Sequence, residues 1–206
     1  MAVTVVHHPL AQHYLTVLRD RETHSPGFRQ AARRLAYLLV AEATADLPTV
    51  EADIETPLEG AISNRLAQPV VVVAVFRAGL GLLDAAVDLL PDARIGYAGV
   101  QRNEETAEPM EYYTKFPAMG DSRVLILEPM LATGGSLSWA VDKVKAKGAV
   151  DITAVCVVAA PVGVEAMEKH HPDVRIVTAA IDRELDHNFY IRPGIGDMGD
   201  RLFGTL

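Results

Sequence analysis

The chain has one cysteine in 206 residues, so it has no internal disulfide. That residue, Cys156, sits in the apolar run AVCVVAA, where core packing accounts for it. Positive charge is also short: 19 Lys and Arg against 27 Asp and Glu leave a net charge of -8. This balance argues against nonspecific binding to nucleic acid or to an anionic membrane surface. No apolar run approaches the ~20 residues of a membrane span, and no basic segment leads into an apolar one at the N-terminus. A cytoplasmic protein is the expectation. The pairs His7-His8 and His170-His171 have no companions at metal-ligand spacing, so a protein-bound metal centre is not expected. Two familiar phosphate motifs are missing as well, since there is no GxxxxGK[ST] and no GxGxxG after a strand.

What the sequence does have is a strand, a loop and a helix in close succession from Val124 to Ser136, VLILEPMLATGGS. The residues VLIL, short and apolar after Asp121 and Ser122, predict a strand buried on both faces of a parallel sheet. From Ser136 to Lys147, Leu137, Ala140, Val141 and Val144 recur at helical spacing, and Gly148 stands where a C-cap is expected. Ile152 to Val158 predicts the next strand. Thr133, Gly134, Gly135 and Ser136 therefore fall at a helix N-terminus, where unpaired N–H groups and the positive end of the dipole attract an anion. Glu128, biased to an extended conformation by Pro129, aims a carboxylate from the strand end toward the same loop. A carboxylate repels phosphate but accepts strongly from sugar hydroxyls, so the ligand that suits both groups is a ribose phosphate. Taken alone, the stretch is equally a strand-to-helix turn with convenient glycines.

At this length, with 50% hydrophobic and 22% charged residues, the chain suits one α/β domain over residues 1–206. Leu10 to Arg19 and Phe28 to Ala43 predict helices separated by Thr23 to Gly27, and Thr49 to Gln68 alternates weakly, as a peripheral strand pair does. Val70 to Val75 predicts a second buried strand running into Phe76-Arg77-Ala78-Gly79. Arg77 then stands at the carboxyl end of a parallel strand, where α/β sheets bind ligands; a surface salt bridge is the equal alternative. A helix over Leu82 to Leu90 and a strand over Arg94 to Val100 follow. Gln101 to Lys115 predicts either a solvated loop or a mobile arm that closes over a site and brings Arg102 or Lys115 to an anionic leaving group. After a strand at Val174 to Ala179, the run Asn188 to Asp200 holds Pro193, Gly194, Gly196 and Gly199, a density expected to exclude helix and regular strand alike. A loop of that kind exposes main-chain groups that can read the edge of a planar ring.

Several of these stretches together resemble uracil phosphoribosyltransferases: HPL at His8 to Leu10, EATADL at Glu42 to Leu47, RAGLG at Arg77 to Gly81, RNEET at Arg102 to Thr106, EPMLATGGS, VVAAP at Val157 to Pro161 and YIRPGIGDMGD at Tyr190 to Asp200. They keep that family's order over nearly the whole chain. TGGS marks the broader type I phosphoribosyltransferases, whereas RNEET and the YIxPGxGDxGD ending are more specific. The resemblance implies an α/β, type I phosphoribosyltransferase-like fold: a mostly parallel sheet flanked by helices, with a mobile hood arm and a C-terminal base-binding loop. It implies a glycosyltransferase that moves 5-phosphoribosyl from phosphoribosyl pyrophosphate to N1 of uracil, giving UMP and diphosphate in pyrimidine salvage.

On that resemblance Glu128 holds the ribose hydroxyls, and Pro129, Met130 and Leu131 lead into Ala132, Thr133, Gly134, Gly135 and Ser136 around the 5-phosphate. Arg77 and Arg102 meet the pyrophosphate. Uracil lies against the backbone of Ile191, Gly196, Asp197 and Met198, with Asp197 also facing the donor, so that Arg102 and Asp197 are the implied catalytic residues. Mg2+ is bound through the pyrophosphate of the substrate rather than in a protein cage. A homodimer or larger homo-oligomer is implied, and GTP is a candidate effector because some family members respond to it. Asp200 lies beyond the matched residues and is expected to matter less.

Four positions depart from the family pattern. Glu128 replaces the usual aspartate, Gln101 a residue that is commonly aromatic, Met198 an alanine, and the segment before Val70 is short. Met198 is expected to narrow the pocket. The rival reading is a uracil- or UMP-sensing RNA-binding regulator on the same fold, which requires a basic face that the charge of -8 argues against. A purine-specific transferase requires a different C-terminal segment.

Overall fold

Long apolar runs dictate the centre of the molecule. In the computed structural model, which describes residues 2–102 and 109–205, every residue from Val70 to Val75 and from Val124 to Leu127 is buried. The elements in chain order are β1 (Val3–Val5), α1 (Pro9–Arg19), α2 (Ser25–Ala43), β2 (Thr49–Glu55), β3 (Gly60–Leu66), β4 (Val70–Phe76), α3 (Leu80–Leu89), β5 (Arg94–Arg102), β6 (Pro109–Lys115) and β7 (Arg123–Leu127). They continue with β8 (Met130–Leu131), α4 (Gly135–Lys145), β9 (Asp151–Ala159), α5 (Pro161–His170), β10 (Arg175–Ile181), β11 (Glu184–Leu185), β12 (Ile191–Arg192) and α6 (Met198–Phe203).

The main sheet runs β1-β10-β9-β7-β4-β5-β6, with β8 joined to β9, and its pairings are parallel except for β5 with β6. Alternate side chains feed two cores. Val70 and Val72 of β4 pack with Leu35 and Leu39 of α2 and Leu82 of α3, while Val71, Val73 and Val75 pack with Leu137, Val141 and Val144 of α4. Helices on both faces are what makes a strand of unbroken apolar residues stable there.

The winding reverses at the centre of this sheet. From β4 the chain moves outward to β5 and β6, then returns to β7 on the other side of β4 and proceeds to β9 and β10. β4 and β7 therefore flank the topological switch point, and a crevice opens beyond their carboxyl ends, where ligands bind in such sheets. The residues that leave those two ends are Arg77 and Glu128.

The expected peripheral strand pair is the hairpin β2–β3, which among the described residues forms its own two-stranded sheet and exposes Val50, Leu58, Ile62 and Leu66. Several boundaries differ from the sequence reading, three of them with a physical reason or a bearing on the site. Helix α2 starts at Ser25 rather than after Gly27, because Pro26 in a first turn forfeits no hydrogen bond. Helix α4 ends at Lys145, two residues early, and Gly148 takes a positive φ of 89° beyond it. The C-terminal run is not purely loop: Ile191–Arg192 pairs antiparallel with β11, and α6 begins at Met198. Asp197 makes that helix start possible by accepting from the Asp200 N–H at 2.9 Å, which offsets the presence of Gly199 in the first turn.

Candidate active site

A cavity of about 800 Å³ opens at the switch point. Three segments build it: the turn after β4, the loop between β7 and α4, and the C-terminal stretch around α6.

The turn after β4 is tight. A Cβ on Gly79 would lie 2.4 Å from the Leu127 carbonyl and 2.6 Å from that of Val75, so only glycine lets this turn close against β7. Arg77 consequently reaches the cavity wall. Its guanidinium is half exposed and donates to Asp200 Oδ1 at 2.8 Å and to Thr205 Oγ1 at 3.0 Å. Of the two sequence alternatives for Arg77, the salt bridge is present, and the same side chain lines the cavity.

Leaving β7, the Glu128 N–H continues the ladder by donating to the Val155 carbonyl at 3.1 Å. Pro129 is buried, and its carbonyl accepts from Val157 and Val158. Pro129 is therefore structural and does not line the cavity, unlike the other donor-loop residues from Met130 to Ser136. Gly134 adopts φ 86° at the N-cap of α4, a conformation that costs glycine little. The first residues of the 11-residue helix α4 line this opening, and its last turn carries Lys143 and Lys145. The cradle and its field thus follow from local backbone geometry.

Glu128 is the unusual group. The residue is partly exposed, yet among the described residues its Oε2 is a buried side-chain oxygen with no hydrogen-bond partner. Burial pushes its carboxyl up from 4.5 to about 8. An orphaned buried acceptor is costly to leave unmade, by roughly 1–3 kcal/mol, and it awaits a donor. Nearby Cys156 is fully buried, and burial together with the Glu128 carboxylate raises its thiol, which keeps it protonated and inert.

The C-terminal wall is fastened from behind. Asp182, almost fully buried, accepts from both terminal nitrogens of Arg19 at 2.8 and 2.6 Å and from the Gly194 N–H at 2.9 Å. Arg19 also donates to the Gly194 carbonyl at 2.9 Å. Arg201 donates to the carbonyls of Ile195 at 2.9 Å and of Leu18, with its guanidinium 4.3 Å from the Phe28 ring centroid. Two arginines hence immobilise residues 194–195, and the adjoining Ile191, Gly196, Asp197 and Met198 line the cavity as expected. Met198, the departure that could narrow the pocket, is 1% exposed and belongs to the core cluster that holds Ile195 and Leu202.

Tyr112, Asn188, Phe189 and Tyr190 also line the cavity; the sequence reading puts Tyr112 in the arm and the other three in the C-terminal run without assigning any of them a role. The Asp186 carboxylate accepts from the N–H groups of Asn188 and Tyr190 and from Arg192, and the Tyr190 contact leads in holding its carboxyl below the usual range. Phe189, between those two N–H groups, has φ 63°, a conformation rare for an aromatic residue and concentrated at functional sites. Its exposed aromatic character was the available signal. Lys115 ends β6 and does not line the cavity. Arg102 is the last residue of β5, but its side chain and residues 103–108, the core of the predicted arm, lie outside the described residues.

Comparison with known proteins bears on this arrangement. The family model described as uracil phosphoribosyltransferase matches residues 5–205. The chain is 50% identical over 204 residues to a uracil phosphoribosyltransferase of Salinibacter ruber, covering 98% of this chain and 97% of that one. It is 47% identical over 203 residues to a uracil phosphoribosyltransferase of Ligilactobacillus salivarius, again with 98% and 97% covered. Among solved structures, the AQ2163 protein from Aquifex aeolicus matches with a TM-score of 0.94 at 35% identity, over 98% of this chain and 97% of that one. A hypoxanthine phosphoribosyltransferase from Staphylococcus aureus matches with a TM-score of 0.52 at 13% identity, over 81% and 85% of the two chains, and shares the fold.

Proposed function

The chain belongs to the uracil phosphoribosyltransferase family, and on that premise we propose how its cavity carries out the transfer. It has the type I phosphoribosyltransferase-like α/β fold and is a pentosyl-transferring enzyme that joins 5-phosphoribosyl to uracil. The observation that carries the site assignment is the buried Glu128 oxygen, without a hydrogen-bond partner among the described residues, in a cavity that Arg77 and the start of α4 also line. A ribose phosphate satisfies all three: its hydroxyls donate to Glu128, its 5-phosphate sits in the loop from Ala132 to Ser136 at the start of α4, and its pyrophosphate faces Arg77 and Arg102.

In the reaction N1 of uracil forms a bond to C1 of the ribose, the bond from C1 to the pyrophosphate oxygen breaks, and its electron pair leaves with pyrophosphate. The N1 proton passes to solvent or to Asp197. Charge develops on the leaving oxygens and on an oxocarbenium-like sugar, so the protein's task is orientation and electrostatic stabilisation rather than nucleophilic attack. Main-chain groups at Ile191 and Gly196 to Met198 read the uracil edge, and the bonds from Arg19, Asp182 and Arg201 hold that backbone still. The carboxylates that line the cavity, Glu128 and Asp197, are oxygen donors that fit Mg2+ held largely through the oxygens of the substrate, where it would neutralise pyrophosphate charge.

We read residues 1–206 as one catalytic domain, supported by a cavity that draws on residues from Val75 to Gly199. The exposed apolar residues of β2–β3 support a homodimer or larger assembly. Gel filtration with and without GTP tests both assembly and effector response. No described helix is long and apolar enough to cross a membrane. Nothing in the geometry or the relatives favours the RNA-binding alternative. The direct test mixes the protein with phosphoribosyl pyrophosphate, magnesium and each of uracil, cytosine, adenine, guanine and hypoxanthine. Uracil alone is expected to give appreciable nucleotide, and faster turnover with any purine overturns the base-site assignment.

A further inference from the structure

Arg77 is not held by its own segment. Its Nη2 donates to Asp200 Oδ1 at 2.8 Å, its Nη1 donates to Thr205 Oγ1 at 3.0 Å, and the Thr205 hydroxyl donates to the same Asp200 oxygen at 2.6 Å. Three side chains thus close a ring of hydrogen bonds that fixes the plane of the guanidinium. The bonds engage two of its five N–H donors and leave the others for an anion. Asp200 does not line the cavity, whereas Arg77, Asp197 and Gly199 do, so the carboxylate acts on Arg77 from behind the wall. Asp200 is itself placed by its N–H, which donates to Asp197 Oδ1 at 2.9 Å. The backbone between the two aspartates approaches closely: a Cβ on Gly199 would lie 3.2 Å from Asp197 Oδ1 and 3.5 Å from Arg77 Nη2.

We propose that Asp200, with Thr205, is a positioning residue for the reaction, orienting Arg77 toward the departing pyrophosphate and tying that arginine to the segment that reads the base. The inference rests on the assignment of Arg77 to the leaving group. It replaces the expectation that Asp200 matters little, and it gives the chain's C-terminal residues a role in the leaving-group half of the site.

A double-mutant cycle tests it, with forward kinetics and product inhibition by pyrophosphate measured for the unmodified enzyme, Arg77→Ala, Asp200→Ala, Asp200→Asn, Thr205→Val and Arg77→Ala/Asp200→Ala. Asp200→Ala is expected to raise the KM for phosphoribosyl pyrophosphate and the pyrophosphate inhibition constant about tenfold each, Asp200→Asn about threefold because its amide oxygen still accepts, and Thr205→Val about twofold. The KM for uracil should stay within about twofold in all three, which shows that the base loop is intact. The double variant should be no worse than Arg77→Ala alone, because without the guanidinium Asp200 has nothing to orient. Additive losses overturn the proposal, as does a lower inhibition constant in Asp200→Ala, which would mean that the carboxylate sequesters Arg77 from its ligand. Equal damage to the uracil KM in Asp200→Asn and Thr205→Val also overturns it. If Arg77→Ala itself leaves both pyrophosphate readouts unchanged, the assignment of Arg77 falls along with the proposal; a large Arg77→Ala effect without coupling removes only the role of Asp200.

Discussion

Replacing Glu128 with glutamine is expected to stabilise the free protein above neutral pH while it weakens donor binding. Burial raises the folded-state carboxyl from 4.5 to about 8, and the Oε2 atom is enclosed without a partner among the described residues. In the unfolded chain the group ionises near its ordinary value of about 4.3. Between the two values the folded protein keeps a proton that the unfolded chain has released. Stability therefore falls as pH rises through this window and levels off above about 8. Over about three and a half pH units, at ~1.4 kcal/mol per unit, the loss is at most about 5 kcal/mol. The partial exposure of the residue lets water relieve some of this, so roughly 2–3 kcal/mol is expected, or about 5–10 °C in Tm for a chain of this size. Glutamine carries no charge at either pH. Urea unfolding of both proteins at pH 5.5 and 8.5, at fixed protein concentration, should show the variant gaining on the parent as pH rises. Calorimetry of phosphoribosyl pyrophosphate binding near pH 7, in buffers of different ionisation enthalpy, should show up to about one proton released by the parent and none by the variant, because the ribose hydroxyls require the ionised acceptor. Parallel stability curves, or equal proton release, would refute the reasoning.

Arg102→Ala should lower kcat more than it weakens donor binding, by about a hundredfold or ~3 kcal/mol, because the arm meets the leaving group as charge develops. A raised KM with kcat unchanged would instead make Arg102 a ground-state binder. Asp197→Asn keeps the cap on α6, since asparagine caps as well as aspartate. It should reduce kcat/KM for the donor by about one to two orders of magnitude, roughly 1.4–2.7 kcal/mol. Uracil affinity in the presence of ribose 5-phosphate should change little, and its loss would show that the carboxylate, rather than the backbone, reads the base.

By itself the sequence determined whatever depends on local period and backbone chemistry. Unbroken apolar runs at Val70 to Val75 and Val124 to Leu127 identified strands covered on both faces, because such runs are tolerable only there. The Thr133 to Ser136 cradle was legible because an anion site at a helix N-terminus is made of backbone N–H groups whose direction the next few residues set. The motifs also pointed to the family, which the match of its model over residues 5–205 and the 50% identity to a relative over 204 residues show.

The tertiary structure alone decided which distant groups meet. Arg77 and Asp200 are 123 positions apart and Arg19 and Asp182 are 163 apart, and no periodic pattern reports a partner at that range. The burial of Met198, the removal of Pro129 from the cavity and the α-helical start at residue 198 were likewise outcomes of packing around the C-terminal run. The proton on Glu128 belongs to the same class: the sequence supplied a carboxylate at a strand end, but how much water that carboxylate loses depends on what folds over it, and desolvation is what raises its affinity for a proton.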